Sequence, residues 1–468
     1  MFMSTLPLLP SPPKPTRNPN RFNSVELQSC LSLLELCKST TELTQVHSKL
    51  IKLGLFHHSL ALTRVLASSS LFPNGDMNYT QSIFDRDENP NTFAYNVMIR
   101  GYLQHNQSKK AIYMFYKMVC DVNYAPNYIT FPFVLKACSK MEAIEEGKQV
   151  HGQVIKFGFG DDLYVQNSLI SLYSTCGRID FARMVFEEMK NPDVVSWNSI
   201  IKGLVDMGVV QEAREIFDKM PKRSVVTWNC LISGYVKVGF MEEARKLFDE
   251  MDVKDSFSWN TMIGGYVDSG ITEAALKLFD RMPEGTKDLI TFKMMIDGCA
   301  KELRFKEVLE IFQEMQKLKV KPDSFILVNA LSACSNMVTL EQGEQIQVYI
   351  DRHEVEMDAV LGTALVDMFA KCGKIEKAFS VFDGLVERDI VTWNSVIYNL
   401  GIHGYSREAL AIFSDMLKSN IPPDETTFLG LLTTCCHCGL ADDGKRYFHF
   451  MSNVYNLAPK VEHLWLYG

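Results

Sequence analysis

The chain has 468 residues, a formal net charge of −8 and 47% hydrophobic residues, which is ample apolar content for a packed core. The charge balance gives no compositional pointer to nucleic acid, and no run of about 18 or more apolar residues exists to span a membrane. Twelve cysteines are present, but Cys138 and Cys334, like Cys176 and Cys372, are 196 residues apart. Their spacing follows a repeat, so they are expected as small apolar helix residues in a reducing compartment rather than as a disulfide framework.

Residues 1–24 (MFMSTLPLLPSPPKPTRNPNRFNS) hold Lys14, Arg17 and Arg21 and no acid. Too many prolines interrupt them for a secretory apolar core, and their basic, Ser/Thr-containing character suits an organellar transit peptide. A degenerate unit is expected over 25–58, where ELTQVHSKLIKLG is echoed by EEGKQVHGQVIKFG further on. Self-similar units follow from 59 to 460, with lengths of 31 to about 36 residues. They fall at 59–91, 92–127, 128–162, 163–193, 194–224, 225–255, 256–288, 289–323, 324–358, 359–389, 390–424 and 425–460. The period is clearest where Trp197, Trp228 and Trp259 recur every 31 residues, together with Gly208, Gly239 and Gly270. Residues 461–468 (VEHLWLYG) read as the start of a further unit, and the sequence stops within it.

Each unit has the pattern of two helices. In VVTWNCLISGYVKVGF, Val226, Leu231, Ile232 and Tyr235 fall at helical spacing, and Gly239 stands where a left-handed C-terminal cap is wanted. MEEARKLFDEM then places Met241, Ala244, Leu247, Phe248 and Met251 on one stripe. A single hairpin cannot bury that stripe, but stacked neighbours can. The expected fold class is an all-α solenoid.

The units resemble the pentatricopeptide repeat family, whose motif runs close to VVTYNTLIDGYCKAG-x-EEALELFEEM-x-x-x-G-x-KPD. VVTWNCLISGYVKVGFMEEARKLFDEM (225–251) and IVTWNSVIYNLGIHGYSREALAIFSDMLKSNIPPD (390–424) carry the resemblance. Alternation of standard, long and short units is similar to the plant PLS-type subfamily, and KACSKMEAIEEGKQVHGQVIKFG matches its long motif. The resemblance implies a right-handed superhelical α-solenoid of helix-turn-helix repeats. It also implies a binder of single-stranded organellar RNA that takes one base per unit, read by the unit's fifth and last residues.

Carried over to this sequence, Asn167 with Asp193, Asn229 with Asp255, Asn260 with Asp288 and Asn394 with Asp424 resemble uridine readers. Asn198 with Ser224 resembles a cytidine reader and Asn96 with Asn127 a pyrimidine reader. Thr63 with Asn91 is similar to the adenine pairing, and Thr363 with Asp389 to the guanine pairing. An Asn amide offers donor and acceptor to a base edge, and the second residues Val195, Val226 and Val391 would flank the base. Pro132, Val328 and Leu429 occupy the fifth position of long units and read no edge, while Lys293 departs from the pattern. With the first repeat on the 5′ base, the implied target is 5′-A-Y-n-U-C-U-U-n-n-G-U-n-3′. Each terminal Asp is also where the following helix would want an N-cap.

No catalytic site, cofactor or metal centre is expected. Cys435, Cys436 and Cys438 with His437 lack the spacing that lets four ligands converge on zinc. A cytidine deaminase needs H-x-E with P-C-x-x-C, and no H-x-E occurs, so editing would need a deaminase supplied by another protein. The expected role is recognition of a site on a plastid or mitochondrial transcript for C-to-U editing or processing, the Pro/Ser-rich leader leaning to plastid. The alternative is a protein-binding helical scaffold. A cluster of Lys and Arg on the first-helix face would favour RNA, and a uniformly acidic face would favour protein.

Overall fold

The computed structural model describes residues 24–37, 39–55, 58–71, 75–87, 90–121 and 124–467. The proposed leader lies outside them but for its last residue. The described residues form 27 α-helices and one short 3-10 turn, with no strand, and the chain divides into two compact units, Met1–Gly234 and Tyr235–Gly468. None of these helices is long and apolar enough to cross a membrane.

Helical hairpins follow one another in the sequence register. In the first unit, Val194–Asp206 pairs with Val210–Lys219; in the second, Ser256–Asp268 pairs with Thr272–Arg281, and Ile390–Ile402 with Ser406–Lys418. A pair of helices, Ser24–Leu36 and Thr40–Lys52, precedes them, and Val461–Tyr467 follows the last hairpin. Within each unit the first helix of a hairpin packs against the first helices on either side. Second helices pack on their own first helix and on the next one. First helices therefore form a continuous inner layer in each unit, and the second helices cover it.

The periodic residues hold these layers together. Phe217 meets Trp228 edge-on at 4.8 Å in the first unit, as Phe248 meets Trp259 at 4.9 Å and Phe382 meets Trp393 at 5.0 Å in the second. The tryptophans are thus seam residues between hairpins, an arrangement that buries large apolar area with favourable ring geometry. Ala213, Ala244, Ala275 and Ala409 are fully buried, small enough for the two helices of a hairpin to approach closely. A cation two positions ahead of the next helix covers each Phe: Arg223 lies 4.5 Å from the Phe217 ring and Arg388 4.5 Å from Phe382. Both guanidinium groups also donate to a carbonyl of the preceding second helix, Phe217 and Phe382 respectively, closing its C-terminus.

The loop between the helices of a hairpin needs a left-handed residue. Gly208, Gly239, Gly270 and Gly404 supply it with φ of 75°, 84°, 69° and 82°. At the same place in 324–358 stands Val338, at φ 56° and ψ 40°. A left-handed β-branched residue costs about 1–2 kcal/mol, against roughly 1 kcal/mol of extra unfolded-state freedom for glycine. Val338→Gly is therefore expected to raise stability modestly, by up to about 1 kcal/mol, seen as a higher urea midpoint; a lower midpoint would contradict the strain argument.

His47 and His151 tie hairpins together. Their Nδ1 atoms meet the hydroxyls of Tyr79 (2.5 Å) and Tyr173 (2.8 Å), and burial lowers both imidazole pKa values. Cys138 and Cys334 are fully buried, and burial pushes their thiols up to about 12 and about 11. Cys176 and Cys372 are only half-buried and end first helices as C-caps, which separates them from the core cysteines.

Candidate functional site

The last residue of one hairpin is the N-cap of the next first helix, and this puts it beside the fifth residue of its own hairpin. Asp288 Oδ1 accepts the Thr291 N–H at 2.9 Å and so starts Leu289–Lys301; Asp424 Oδ1 accepts the Thr427 N–H at 2.8 Å and starts Glu425–His437. Because consecutive first helices lie side by side, the same carboxylate reaches across the seam. The Asn260 amide donates to Asp288 Oδ1 at 3.2 Å and the Asn394 amide to Asp424 Oδ1 at 2.9 Å. In the first unit the Asn96 amide donates to Asn127 Oδ1 at 3.2 Å. Capping and pairing are two uses of one oxygen.

A third residue completes each arrangement. The Thr291 hydroxyl donates to Asn260 Oδ1 at 2.6 Å, Thr427 to Asn394 Oδ1 at 2.6 Å and Thr130 to Asn96 Oδ1 at 2.7 Å. A carboxylate only accepts, so it must face the amide nitrogen, and the threonine fixes the amide oxygen on the other side. The threonine takes one lone pair of each Asn oxygen, and the second N–H of each amide has no hydrogen-bond partner among the described residues. Burial pushes the Asp288 carboxyl up, but the Thr291 N–H and hydroxyl and the Asn260 amide outweigh it and hold the pKa below the usual carboxylate value. The same balance applies to Asp193, where Ser196 and then the Asn167 amide supply the bonds.

Asn198–Ser224, Thr63–Asn91 and Thr363–Asp389 are built differently. No hydrogen bond joins Asn198 to Ser224. The Ser224 hydroxyl is shorter than a carboxylate and engages Thr227 (3.0 Å), leaving Asn198 Oδ1 buried without a partner. Asn167 Oδ1 is likewise buried without a partner, and the Ser196 hydroxyl lies 2.9 Å from Asp193 Oδ1. Thr63 does not meet Asn91: its hydroxyl donates back to the Ser59 carbonyl, while Asn91 caps Thr92–Gln104 through the Ala94 N–H and donates to the Ser59 hydroxyl. Thr363 reaches Asp389 through Thr392, whose hydroxyl lies 2.7 Å from Thr363 and donates to Asp389 Oδ1 at 2.7 Å. Asn229 is buried in the first unit, and Asp255 forms a capping box with Ser258 in the second. Lys293 occupies the amide's place in 289–323, donating to Asp323 Oδ2 at 3.0 Å with its ammonium 4.8 Å from the Phe325 ring.

Beside this row runs an exposed apolar one. Val195, Val226 and Val391 are 56%, 64% and 58% exposed. The same second position exposes Leu60, Phe93 and Tyr164 in the first unit and Phe257, Ile290, Phe325 and Val360 in the second. Sequence reasoning named three of these and missed the rest, although their periodic apolar character on a helix's first turn was a usable signal. It also missed the threonine near the start of the following first helix, as at Thr130, Thr291 and Thr427. Between Val360 and Val391 a pocket of about 410 Å³ opens, lined by Thr363 and Asp389 and continuing past Ala364 to Asp367 and Ser395.

Charge is divided between the two kinds of helix. From Ser59–Leu71 to Val194–Asp206, first helices carry Arg64, Arg100, Lys136, Lys140 and Lys202 against Asp206 alone. In the second unit, from Ser256–Asp268 to Glu425–His437, first helices carry Asp268, Asp297, Asp367 and Glu425 against Lys293, Lys301 and Lys371, while the second helices are acid-rich, as in Leu340–Arg352 with Glu341, Glu344 and Asp351 against Arg352. The first-helix face is not uniformly acidic. Among the described residues no His, Cys, Asp and Glu side chains form a group that could hold a metal ion; Cys435 is buried, while Cys436 is exposed.

Comparison with known proteins agrees with this architecture. Residues 90–140, 192–226 and 388–437 match the PPR repeat family, and 167–192, 226–256, 257–285, 290–320 and 363–390 match the PPR repeat. Pentatricopeptide repeat-containing protein At4g18840 of Arabidopsis thaliana is 49% identical over 434 residues, covering 92% of this chain and 74% of the relative. The chloroplastic protein At1g08070 of Arabidopsis thaliana is 38% identical over 489 residues, covering 96% of this chain and 66% of its own length. The crystal structure of the pentatricopeptide repeat protein PPR10 from maize has the same fold, with a TM-score of 0.64 at 20% identity over 95% of this chain and 70% of that one. With relatives this similar over most of its length, the chain belongs to the pentatricopeptide repeat family.

Proposed function

We propose that the chain binds single-stranded RNA sequence-specifically, one base per hairpin, with the fifth and last residues of each hairpin choosing the base. The observation that carries this reading is the seam geometry repeated at Asn96–Asn127, Asn260–Asp288 and Asn394–Asp424: an oriented amide beside an exposed apolar side chain. The apolar residues would flank the flat faces of a base while the free N–H meets its edge, as single-strand recognition requires. Asn167–Asp193, Asn229–Asp255, Asn260–Asp288 and Asn394–Asp424 take uridine, Asn198–Ser224 cytidine and Asn96–Asn127 a pyrimidine. Thr63–Asn91 takes adenine, and Thr363–Asp389 takes guanine in the pocket between Val360 and Val391.

The array at 59–460 acts as the recognition element, 1–24 as an organellar transit peptide, with a lean to plastid supported by the chloroplastic relative. Its role is to mark a site for C-to-U editing or processing, the deaminase being supplied by a partner. Basic first helices in the first unit favour RNA over an acidic-face protein scaffold. Titration of synthetic 5′-A-Y-n-U-C-U-U-n-n-G-U-n-3′ RNA is expected to give tight binding, lost when the uridines become adenines. Equal affinity for both RNAs would refute base reading.

A further inference from the structure

The pocket between Val360 and Val391 holds more acceptors than the fifth and last residues of its hairpin supply. Thr363 offers it no proton, because its hydroxyl donates to the Ala359 carbonyl at 2.7 Å and meets the Thr392 hydroxyl at 2.7 Å. Asp389 Oδ1 accepts the Thr392 N–H and hydroxyl at 2.8 and 2.7 Å, and its Oδ2 makes no hydrogen bond among the described residues. One turn beyond Thr363 on the same helix face, Asp367 lines the same pocket. Its Oδ2 accepts the Ser335 hydroxyl at 2.6 Å and Lys371 at 2.9 Å, while its Oδ1 accepts only the Asn399 amide, at 3.1 Å. A carboxylate has about four acceptor sites, so one is left on Oδ1. Lys371 also balances the charge, which would otherwise repel the phosphates of a bound strand.

Asn399 holds this arrangement from behind. It is 2% exposed, and its amide nitrogen donates to both Asp367 Oδ1 and Ser395 Oγ, at 3.1 and 3.3 Å. Its own Oδ1 is buried without a partner, which is a costly state for an acceptor. Turning the amide over would set that oxygen against the Asp367 carboxylate, so the orientation is forced. Ser395, which also lines the pocket, accepts from Asn399 and keeps its own proton for a ligand.

Resting on the RNA-binding reading above, we infer that Asp367 is a third specificity-determining residue of the hairpin at 359–389, accepting the exocyclic amine of guanine. Guanine alone among the four bases presents two donors side by side, N1–H and the N2 amine, followed by the O6 acceptor. Asp389 Oδ2 takes N1–H, and the amine, which projects beyond the ring, reaches the free site on Asp367 Oδ1. Ser395 donates to O6. Adenine and cytosine would turn a ring-nitrogen lone pair toward Asp389, and uracil a carbonyl oxygen toward Asp367. A site built around a donor rejects an analogue that lacks it, because its acceptor is then left unpaired.

The experiment titrates the full chain and Asp367→Ala with 5′-A-Y-n-U-C-U-U-n-n-G-U-n-3′ RNA carrying guanosine, inosine or adenosine at the tenth base. Inosine is guanosine without the amine. The parent is expected to bind the guanosine RNA about 10- to 100-fold more tightly than the inosine RNA, the discrimination one charge-assisted contact gives. Asp367→Ala should bring that ratio to about 1 while still preferring guanosine to adenosine through Asp389. Both RNAs meet the same protein preparation, so any loss of folded variant lowers the two affinities equally and leaves the ratio intact. Ser395→Ala, which removes the donor to an O6 present in both guanosine and inosine, should weaken both and keep the parent's ratio. Equal binding of guanosine and inosine by the parent, or the parent's ratio retained in Asp367→Ala, overturns the role of Asp367. Loss of the ratio in Ser395→Ala as well would overturn the assignment of the amine to Asp367. If the parent discriminates neither guanosine from adenosine nor uridine from adenine elsewhere in the RNA, base reading itself falls, and if it binds no RNA the whole reading falls.

Discussion

Asp424→Ser is expected to leave stability almost unchanged while erasing much of the uridine preference of the hairpin at 390–424. Asp424 does two things with one oxygen: it caps Glu425–His437 through the Thr427 N–H and it takes the Asn394 amide. Serine ranks with aspartate as an N-cap, so the helix should lose at most a few tenths of a kcal/mol. Ser224 shows the consequence for pairing, because it meets Thr227 while no hydrogen bond joins it to Asn198. Without the carboxylate the Asn394 amide is no longer forced to present its nitrogen to the seam, and the outward N–H loses its fixed direction. A well-placed side-chain–base contact is worth about 1–3 kcal/mol of discrimination, so preference for uridine over the other bases should fall about 5- to 150-fold. Asp424→Ala removes the cap as well and should also cost about 1 kcal/mol of stability. Thermal melts and dissociation constants for four RNAs differing at that one base separate the two roles. Identical behaviour of the serine and alanine variants in both assays would mean that Asp424 only caps.

How much of this was legible in the sequence depends on whether an interaction is carried by a period or by a side chain's reach. Trp, Phe, Ala and the loop glycines repeat because packing repeats, and hairpin boundaries followed from them; Gly239 in the left-handed region is the plainest case. The seam bonds join residues 28 to 34 positions apart, Asn260 to Asp288 and Thr130 to Asn96 among them. Their existence turns on a carbon or two of side-chain length. Serine at 224 in place of aspartate ends the pairing, its hydroxyl meeting Thr227 instead. Lys293 reads as a break in the pattern, yet a lysine spans the distance to Asp323 that an amide would. The division of charge was equally hidden, since net charge sums first and second helices that point different ways.

Two adjacent glycines should respond to substitution with opposite signs. Gly264 and Gly265 both sit in the middle of Ser256–Asp268, where glycine costs roughly 0.5–1 kcal/mol relative to alanine because of its unfolded-state freedom. A Cβ at Gly264 would meet only the mobile end of Met294, its Cε at 3.3 Å. Methionine can rotate away, so Gly264→Ala should stabilise by up to about 1 kcal/mol. A Cβ at Gly265 would fall 2.7 Å from Val236 Cγ1 and 3.0 Å from Met241 Cε. Val236 lies on the preceding first helix, and a β-branched residue in a helix has essentially one rotamer, so it cannot yield. Relief must come from separating the two helices, and the larger Gly265→Leu would force that separation along the whole contact. Overpacking of this kind costs about 1–3 kcal/mol, more than the helix propensity regained by losing glycine. In an array whose stability is largely a sum of neighbouring interfaces, that loss should register as a lower melting temperature. It should also weaken RNA binding, because the helix displaced, Ser256–Asp268, is the one that carries Asn260. A rise in melting temperature for both variants would show that close approach of the first helices does not depend on the missing side chain at Gly265.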